Sequence, residues 1–423
     1  MTRSCGRLRR GAVTAVAVGA LAVPIGGGTA FGAPSLAPTT AATGTPTGTE
    51  PPSPSPSATD GFVTLTPEVK QQVDDAVQQV MSEANVPGVT VGIWTPDQGT
   101  HVKSFGVADK SDGRKMSPDL FMRIGSETKT FTVTALLKLV DEGKVGLDDT
   151  IDQYVDDVPN GDKITLRQLA GMRSGLFNYS QDPDFFKALT SDPQDPFTPQ
   201  ELLAYSFKHP VLFAPGAEFY YCNTNLILLG LVVEQAGDQP LNDYIQENVL
   251  EPAGMDDTVF PTDATFPNPH AQGYTDQTAD GKVADSADWD PSWAWAAGAM
   301  ISTLEDLRLW APTVATGVLP DGTTLISPAT QKQRLTTPPT TIPGAGYGLG
   351  IFNVQGWIGH NGSLPGYESL TIYLPSAQAT IVVLLNTDIN YKNTEPSTLF
   401  GDAITKIVSP EHIFNLPAQN AAH

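Results

Sequence analysis

Two stretches at opposite ends of the sequence carry the strand pattern, and the residues between them read mostly as helix and loop. Val89 to Trp94 and Val102 to Val107, parted by the turn-rich Thr95-Pro96-Asp97-Gln98-Gly99-Thr100, predict an antiparallel hairpin. Ser369 to Leu374 and Ala379 to Leu385, parted by Pro375-Ser376, predict a second. One sheet therefore draws on both ends of the chain. The hairpins are preceded by an amphipathic helix opening at Pro67-Glu68, with Val69, Val73, Ala76, Val77 and Val80 at helical spacing. Helical patterns follow at Phe131 to Glu142, Leu166 to Met172, Thr198 to Phe207, Leu226 to Ala236 and Leu241 to Val249. The expected class is α/β (α+β): an antiparallel sheet with flanking helices and an inserted, mainly helical domain. A cleft between two such lobes is where a site is expected. No internal repeat of fixed period is present.

The start of the chain is composed differently. Arg3, Arg7, Arg9 and Arg10, the apolar run Ala12 to Ile25, and small residues around Ala30, Gly32 and Ala33 predict an export signal over residues 1–33. Glycines and Pro24 break the apolar run short of the roughly 20 residues that span a bilayer, which argues against a membrane anchor. Residues 34–60, rich in Pro, Thr, Ser, Gly and Ala, predict a disordered tether. The folded domain is expected over 61–415, with a tail at 416–423. A secreted or extracytoplasmic location follows from this reading, with association to the cell envelope allowed by the tether.

Formal charge is −22, and losing the four signal arginines takes it to −26. Such acidity argues against nucleic acid or an anionic membrane surface as partner. Of two cysteines, Cys5 would leave with the signal, so a large core rather than disulfides must stabilise the mature chain around the lone Cys222.

Three short motifs carry chemistry. Gly125-Ser126-Glu127-Thr128-Lys129 precedes the apolar helical run Phe131, Val133, Ala135, Leu136, Leu139 and Val140, so Ser126 and Lys129 share a helix face. A serine hydroxyl needs a partner to take its proton, and a lysine in a partly dry cleft can be that partner. No other lysine has a serine three residues before it; a helix cap with a solvated lysine is the structural alternative. Phe219-Tyr220-Tyr221-Cys222-Asn223 opens the next helix: a phenol whose ionised form a lysine would favour, and an amide able to hold the lysine or a substrate amide. A buried aromatic beside a helix cap fits the same residues, and Tyr391-Lys392-Asn393, in a polar loop, repeats the pattern as a decoy. Gly359-His360-Asn361-Gly362-Ser363 lies just before the C-terminal hairpin, where glycines allow close approach and the backbone N–H of Ser363 could meet an oxyanion. The acidic, Phe-containing loop Gln181 to Pro199 is a candidate for the cleft entrance. No serine sits in Gly-x-Ser-x-Gly, which argues against an α/β-hydrolase elbow.

In order and spacing, Ser126-x-x-Lys129, Tyr221-x-Asn223 and His360-x-Gly362 resemble the signature of penicillin-recognising serine hydrolases: class C β-lactamases, serine D-alanyl-D-alanine carboxypeptidases and their esterase relatives. Phe121 to Ser126, Ile164 to Leu169, Ser174-Gly175-Leu176, Trp293 to Gly298 and Tyr347-Gly348-Leu349-Gly350 look similar too, so the resemblance covers roughly residues 65–410. It implies a β-lactamase/transpeptidase-like fold. It also implies an acyl-enzyme on Ser126, with Lys129 and Tyr221 as proton carriers and Asn223, His360, Gly362, Ser363 and Trp293 around the substrate. The substrate implied is a peptidoglycan-like peptide, a β-lactam or an ester, with the D-Ala-D-Ala carboxypeptidase or penicillin-interactive type first, and no metal or organic cofactor. A non-catalytic binding protein on the same fold is the alternative of a different class. Phe352 and Asn353 stand where those carboxypeptidases carry an arginine for the substrate carboxylate, Asn361 where threonine is common, and Cys222 where serine or alanine is usual.

Overall fold

The computed structural model describes residues 61–416; the expected export segment, the tether and residues 417–423 lie outside them. Helix α1, Pro67–Ala84, starts where the Thr66 hydroxyl accepts from the Val69 N–H and Pro67 needs no donor, and stops where Asn85 turns left-handed. It leads into the first hairpin, β1 Gly88–Thr95 and β2 Gly99–Gly106. The C-terminal part supplies β3 Ala345–Tyr347, β4 Phe352–Val354, β5 Trp357–Leu364, β6 Tyr367–Leu374 and β7 Ala379–Leu385. They form one antiparallel sheet in the order β2-β1-β7-β6-β5-β4-β3.

The expectation that the sheet unites both chain ends is met at the β1/β7 seam, where Val89 lies opposite Leu385 and Ile93 opposite Ile381. Every residue of β6 and β7 is buried, so both faces of the sheet are covered. Neighbouring residues of β6 show by what. Leu370 touches the face of α5, Pro396–Val408, at Gly401, whereas the Ser369 hydroxyl donates to the Ile124 carbonyl just before Ser126. Alternate residues of a strand point to opposite faces, so α5 takes one face and the Ser126 segment the other.

That second face belongs to the helical part, whose centre is α2, Thr128–Asp141. It is buried nearly all round, as an interior helix must be. Phe131 stacks on Trp310 of α4, Leu304–Thr316, with centroids 4.2 Å apart, and the Trp310 indole donates to Thr130. On its other side runs α3, Asn223–Gly237. Two sequence readings change. The Gly-rich segment around His360, expected only to precede the C-terminal hairpin, is itself strand β5, and the presumed loop 181–199 contains a helix, Pro183–Ser191, capped by Asp182.

Candidate active site

Ser126 sits in a single tight turn, Gly125–Glu127, that feeds directly into α2. Gly125 has φ +52°, and a side chain there would lie 2.6 Å from the Ser363 backbone nitrogen. At Gly362 a Cβ would lie 1.9 Å from the Ile124 carbonyl oxygen. These two glycines let the turn press against β5. Strand β4 pairs with β5 only at Trp357, Ile358 and Gly359, which leaves the β5 edge from His360 onward without a strand neighbour on that side among the described residues.

Lys129 is fully buried, and its Nζ donates to the Ala297 carbonyl at 2.7 Å and to the Ser126 Oγ at 2.8 Å. No carboxylate is paired with it among the described ion pairs. Burial pushes its pKa well below the ordinary lysine value, only partly countered by the Cys222 thiol nearby, so the free amine is favoured. The same Nζ lies 4.9 Å from the centre of the Tyr221 ring.

Tyr221 hydrogen-bonds with Ser126, yet burial outweighs that bond and drives the phenol above its ordinary value, with the Glu395 carboxyl acting in the same sense. The expectation that Lys129 would favour the phenolate is thus reversed: a lysine stripped of water does not hold the charge needed to stabilise one. Tyr221 is held as the neutral phenol. Its ring stacks parallel to Phe352, 6.4 Å away, and stands edge-on to Tyr347 at 6.2 Å. His360 completes this aromatic wall, donating at Nδ1 to the Asn361 carbonyl and accepting at Nε2 from the Tyr347 hydroxyl at 3.2 Å. Burial first, and Lys129 second, bring His360 down to about 3, so it stays neutral near pH 7.

Asn223 opens α3; its Nδ2 donates to the Ser180 hydroxyl at 3.2 Å, and its Oδ1 accepts from neither Lys129 nor any other group among the described residues. Trp293 lies in the turn Pro291–Trp293, packs on Phe185 with centroids 6.1 Å apart, and accepts the Tyr179 hydroxyl at its carbonyl. The structure therefore brings Ser126, Lys129, Tyr221, His360, Gly362 and Ser363 together; Asn223 and Trp293 belong to the flanking segments. Ala297, Tyr347, Ser180 and Glu395 were not singled out from sequence. Ala297 and Tyr347 lie in stretches that resemble the family, whereas Glu395 follows the decoy Tyr391-Lys392-Asn393 and carries no local signal.

Cys222 is buried behind Tyr221, its thiol pushed up to about 11 by burial and donating weakly to the Leu176 carbonyl, as suits an inert packing residue. No helix among the described residues is long and apolar enough to cross a membrane.

A family model described as Beta-lactamase matches residues 73–398. Protein flp of Staphylococcus aureus (strain MW2) is 28% identical over 339 residues, which is 77% of this chain and 65% of that relative's length. A D-stereospecific amidohydrolase from Streptomyces sp. is 28% identical with a TM-score of 0.68, over 75% of this chain and 94% of that one. The D-amino acid amidase of Ochrobactrum anthropi SV3, complexed with L-phenylalanine amide, is 25% identical with a TM-score of 0.70, over 80% and 97% respectively.

Proposed function

This chain belongs to the β-lactamase family of serine hydrolases, and from that premise we propose that it cleaves an amide or β-lactam carbonyl through an acyl-enzyme on Ser126. The observation that carries the reading is the 2.8 Å contact between Ser126 Oγ and a buried Lys129 Nζ biased toward the free amine. A neutral amine that gives one N–H to the Ala297 carbonyl can turn its lone pair to the Ser126 hydroxyl. As Oγ attacks the carbonyl carbon, its proton passes to Lys129. Collapse of the tetrahedral intermediate breaks the bond to the leaving nitrogen, which takes the Tyr221 proton; Lys129 then restores it. Water reverses the sequence to release the acid. The oxyanion would lie between the N–H groups of Ser126 and Ser363, which the two glycines bring close.

Peptides of the D-Ala-D-Ala type and D-amino acid amides are the substrates in this proposal, supported by the amidohydrolase neighbours. Ester hydrolysis is the second reading, favoured by Phe352 standing on the aromatic wall where the carboxypeptidases this chain resembles carry an arginine for the substrate carboxylate. Extracytoplasmic work is part of the proposal and rests on the composition of residues 1–33.

Intact-mass spectrometry after exposure to a penicillin tests it. The expected result is an adduct of one ligand mass that is absent in Ser126→Ala. An adduct that survives in Ser126→Ala, or neither adduct nor turnover of penicillin and D-amino acid amides, overturns it.

A further inference from the structure

Along the open edge of β5, the side chains leave toward opposite faces of the sheet. His360 and Gly362 share the face of Thr371 and Ser369, toward Ser126, whereas Asn361 lies opposite Leu370 and shares the face covered by α5. A substrate lying against this edge would meet both sets. On the α5 side, the Asn361 Nδ2 donates to the Glu395 carboxyl at 2.6 Å, and both residues are partly exposed. Glu395 occupies the N-cap position of α5 without hydrogen-bonding the helix through its side chain, and its carboxyl takes one of the two Asn361 N–H groups, which orients the amide and leaves its oxygen and its second N–H for a ligand.

Among the described residues, no Lys, Arg or His side chain forms an ion pair with this carboxyl. Lys129 favours the free amine, and the guanidinium of Arg334 is buried on the Thr130 carbonyl and that of Arg123 on the Ala287 and Trp289 carbonyls. His360 is neutral. Glu368, buried beneath on β6 and accepting the Ser397 N–H, is pushed well above the ordinary carboxylate range by burial and by the Glu395 charge, so it adds no second charge. Glu395, raised by its own burial and drawn back down by the Asn361 hydrogen bond, is the carboxyl whose charge acts on its neighbours. The carboxyl of Glu395 is also close enough to act on Tyr221, which places it within electrostatic reach of the reacting atoms. The polar side of the edge therefore offers acceptors and negative charge to whatever binds there.

Resting on the serine acyl hydrolase reading, we propose that Asn361 and Glu395 set the substrate class: the group that lies beside them is a hydrogen-bond donor, a carboxamide or an ammonium, and a free carboxylate is rejected. A carboxylate placed there would lose water to face an oxygen acceptor and like charge, whereas a carboxamide or ammonium donates to both. The chain would then act on amidated or amine-ended D-peptides rather than as a strict carboxypeptidase.

The test separates this from the chemistry. In the full-length Ser126→Ala protein, which cannot form the acyl-enzyme, calorimetry at pH 7.5 compares N-acetyl-D-alanyl-D-alaninamide with N-acetyl-D-alanyl-D-alanine. The amide is expected to bind at least about fivefold tighter, and adding Glu395→Gln should bring the two within about twofold by relaxing rejection of the acid. Asn361→Thr, which returns a hydroxyl donor, should narrow the ratio in the same direction. Equal binding of the two ligands, tighter binding of the acid, no measurable binding of the amide, or a ratio that both substitutions leave unchanged overturns the inference. Penicillin labelling of the Ser126-containing protein reports independently on whether the acyl-enzyme reading stands.

Discussion

Lys129 and Glu127 flank the nucleophile's turn, and burial shifts both toward neutrality with opposite consequences for pH. Lys129 must shed its proton before it can accept the one on Ser126, so acylation should rise with pH through a limb that lies well below the ordinary lysine value. Lys129→Arg, whose guanidinium cannot shed a proton, should lower kcat/KM for penicillin acylation by at least a hundredfold, and Tyr221→Phe by more than tenfold; stopped-flow acylation from pH 5 to 9 measures all three. Glu127 is buried beside the Ser369 and Thr371 hydroxyls, and burial, only partly offset by those hydroxyls, pushes its pKa up to about 8. Its folded-state value lies above the unfolded one. The folded protein therefore holds a proton that the unfolded chain has lost between about pH 4.5 and 8, and stability falls as pH rises through that window. Glu127→Gln should accordingly be more stable than the parent at pH 8, on the order of 1–3 kcal/mol, with the gain vanishing at pH 4.5; urea unfolding at the two pH values checks it. At this scale the sequence showed Ser126 and Lys129 plainly, because three residues on a helix suffice to pair them. It could not show the Ala297 carbonyl that holds Lys129 or the Glu395 carboxyl that grips Asn361, since only the closed fold joins residues that far apart.

The element that decides the site is the contact between one turn and one strand. Gly362→Ala adds a methyl where the Ile124 carbonyl oxygen would lie at 1.9 Å, and backbone cannot rotate aside as a side chain would. It should cost about 2 kcal/mol or more of stability and lower penicillin acylation at least a hundredfold, because the turn carrying Ser126 must lift from β5. A cap substitution elsewhere separates the two effects. Helix Pro199–Phe207 begins in a reciprocal pair in which Thr198 accepts from the Glu201 N–H and Glu201 accepts from Thr198. Thr198→Ala should cost about 1 kcal/mol in urea unfolding and leave acylation within about twofold. Helices and hairpins with strong period were legible: Ala379–Leu385 coincides with its predicted bounds, and α2 differs from its predicted span mainly by the turn at its start. Strand β5 was not, because Gly359 and Gly362 interrupt the apolar alternation that marks a strand. Those are the residues that let a turn and a ligand approach, so the feature that hides the strand is the one that makes the site. The helix Pro183–Ser191 was readable in principle from Asp182 as cap and Pro183 as first residue, but its acidic surroundings suggested a loop.

Over the whole molecule, the seam between β1 and β7 makes the two halves of the chain one sheet, and that much was legible from two hairpins at opposite ends. What composition could not reveal was how the chain's charge bears on its site. A formal charge of −22 sets up a field that favours cationic ligands and disfavours anionic ones everywhere on the surface, whatever Glu395 does locally. The two contributions differ in range. Salt at about 0.5 M shortens the screening length to a few ångström, which removes the long-range field but not a contact with a partly buried carboxyl. Preference for an ammonium-ended over a carboxylate-ended D-peptide, read as a ratio of kcat/KM, should therefore shrink by about two- to fivefold between 0.02 and 0.5 M NaCl and then level off above unity. Glu395→Gln should lower the residual ratio at 0.5 M NaCl while leaving the salt-dependent part nearly intact, since one charge in so many changes the field little. A residual ratio of one at high salt in the parent protein would mean that selectivity comes from the net field alone, and that the wall beside β5 is electrostatically silent.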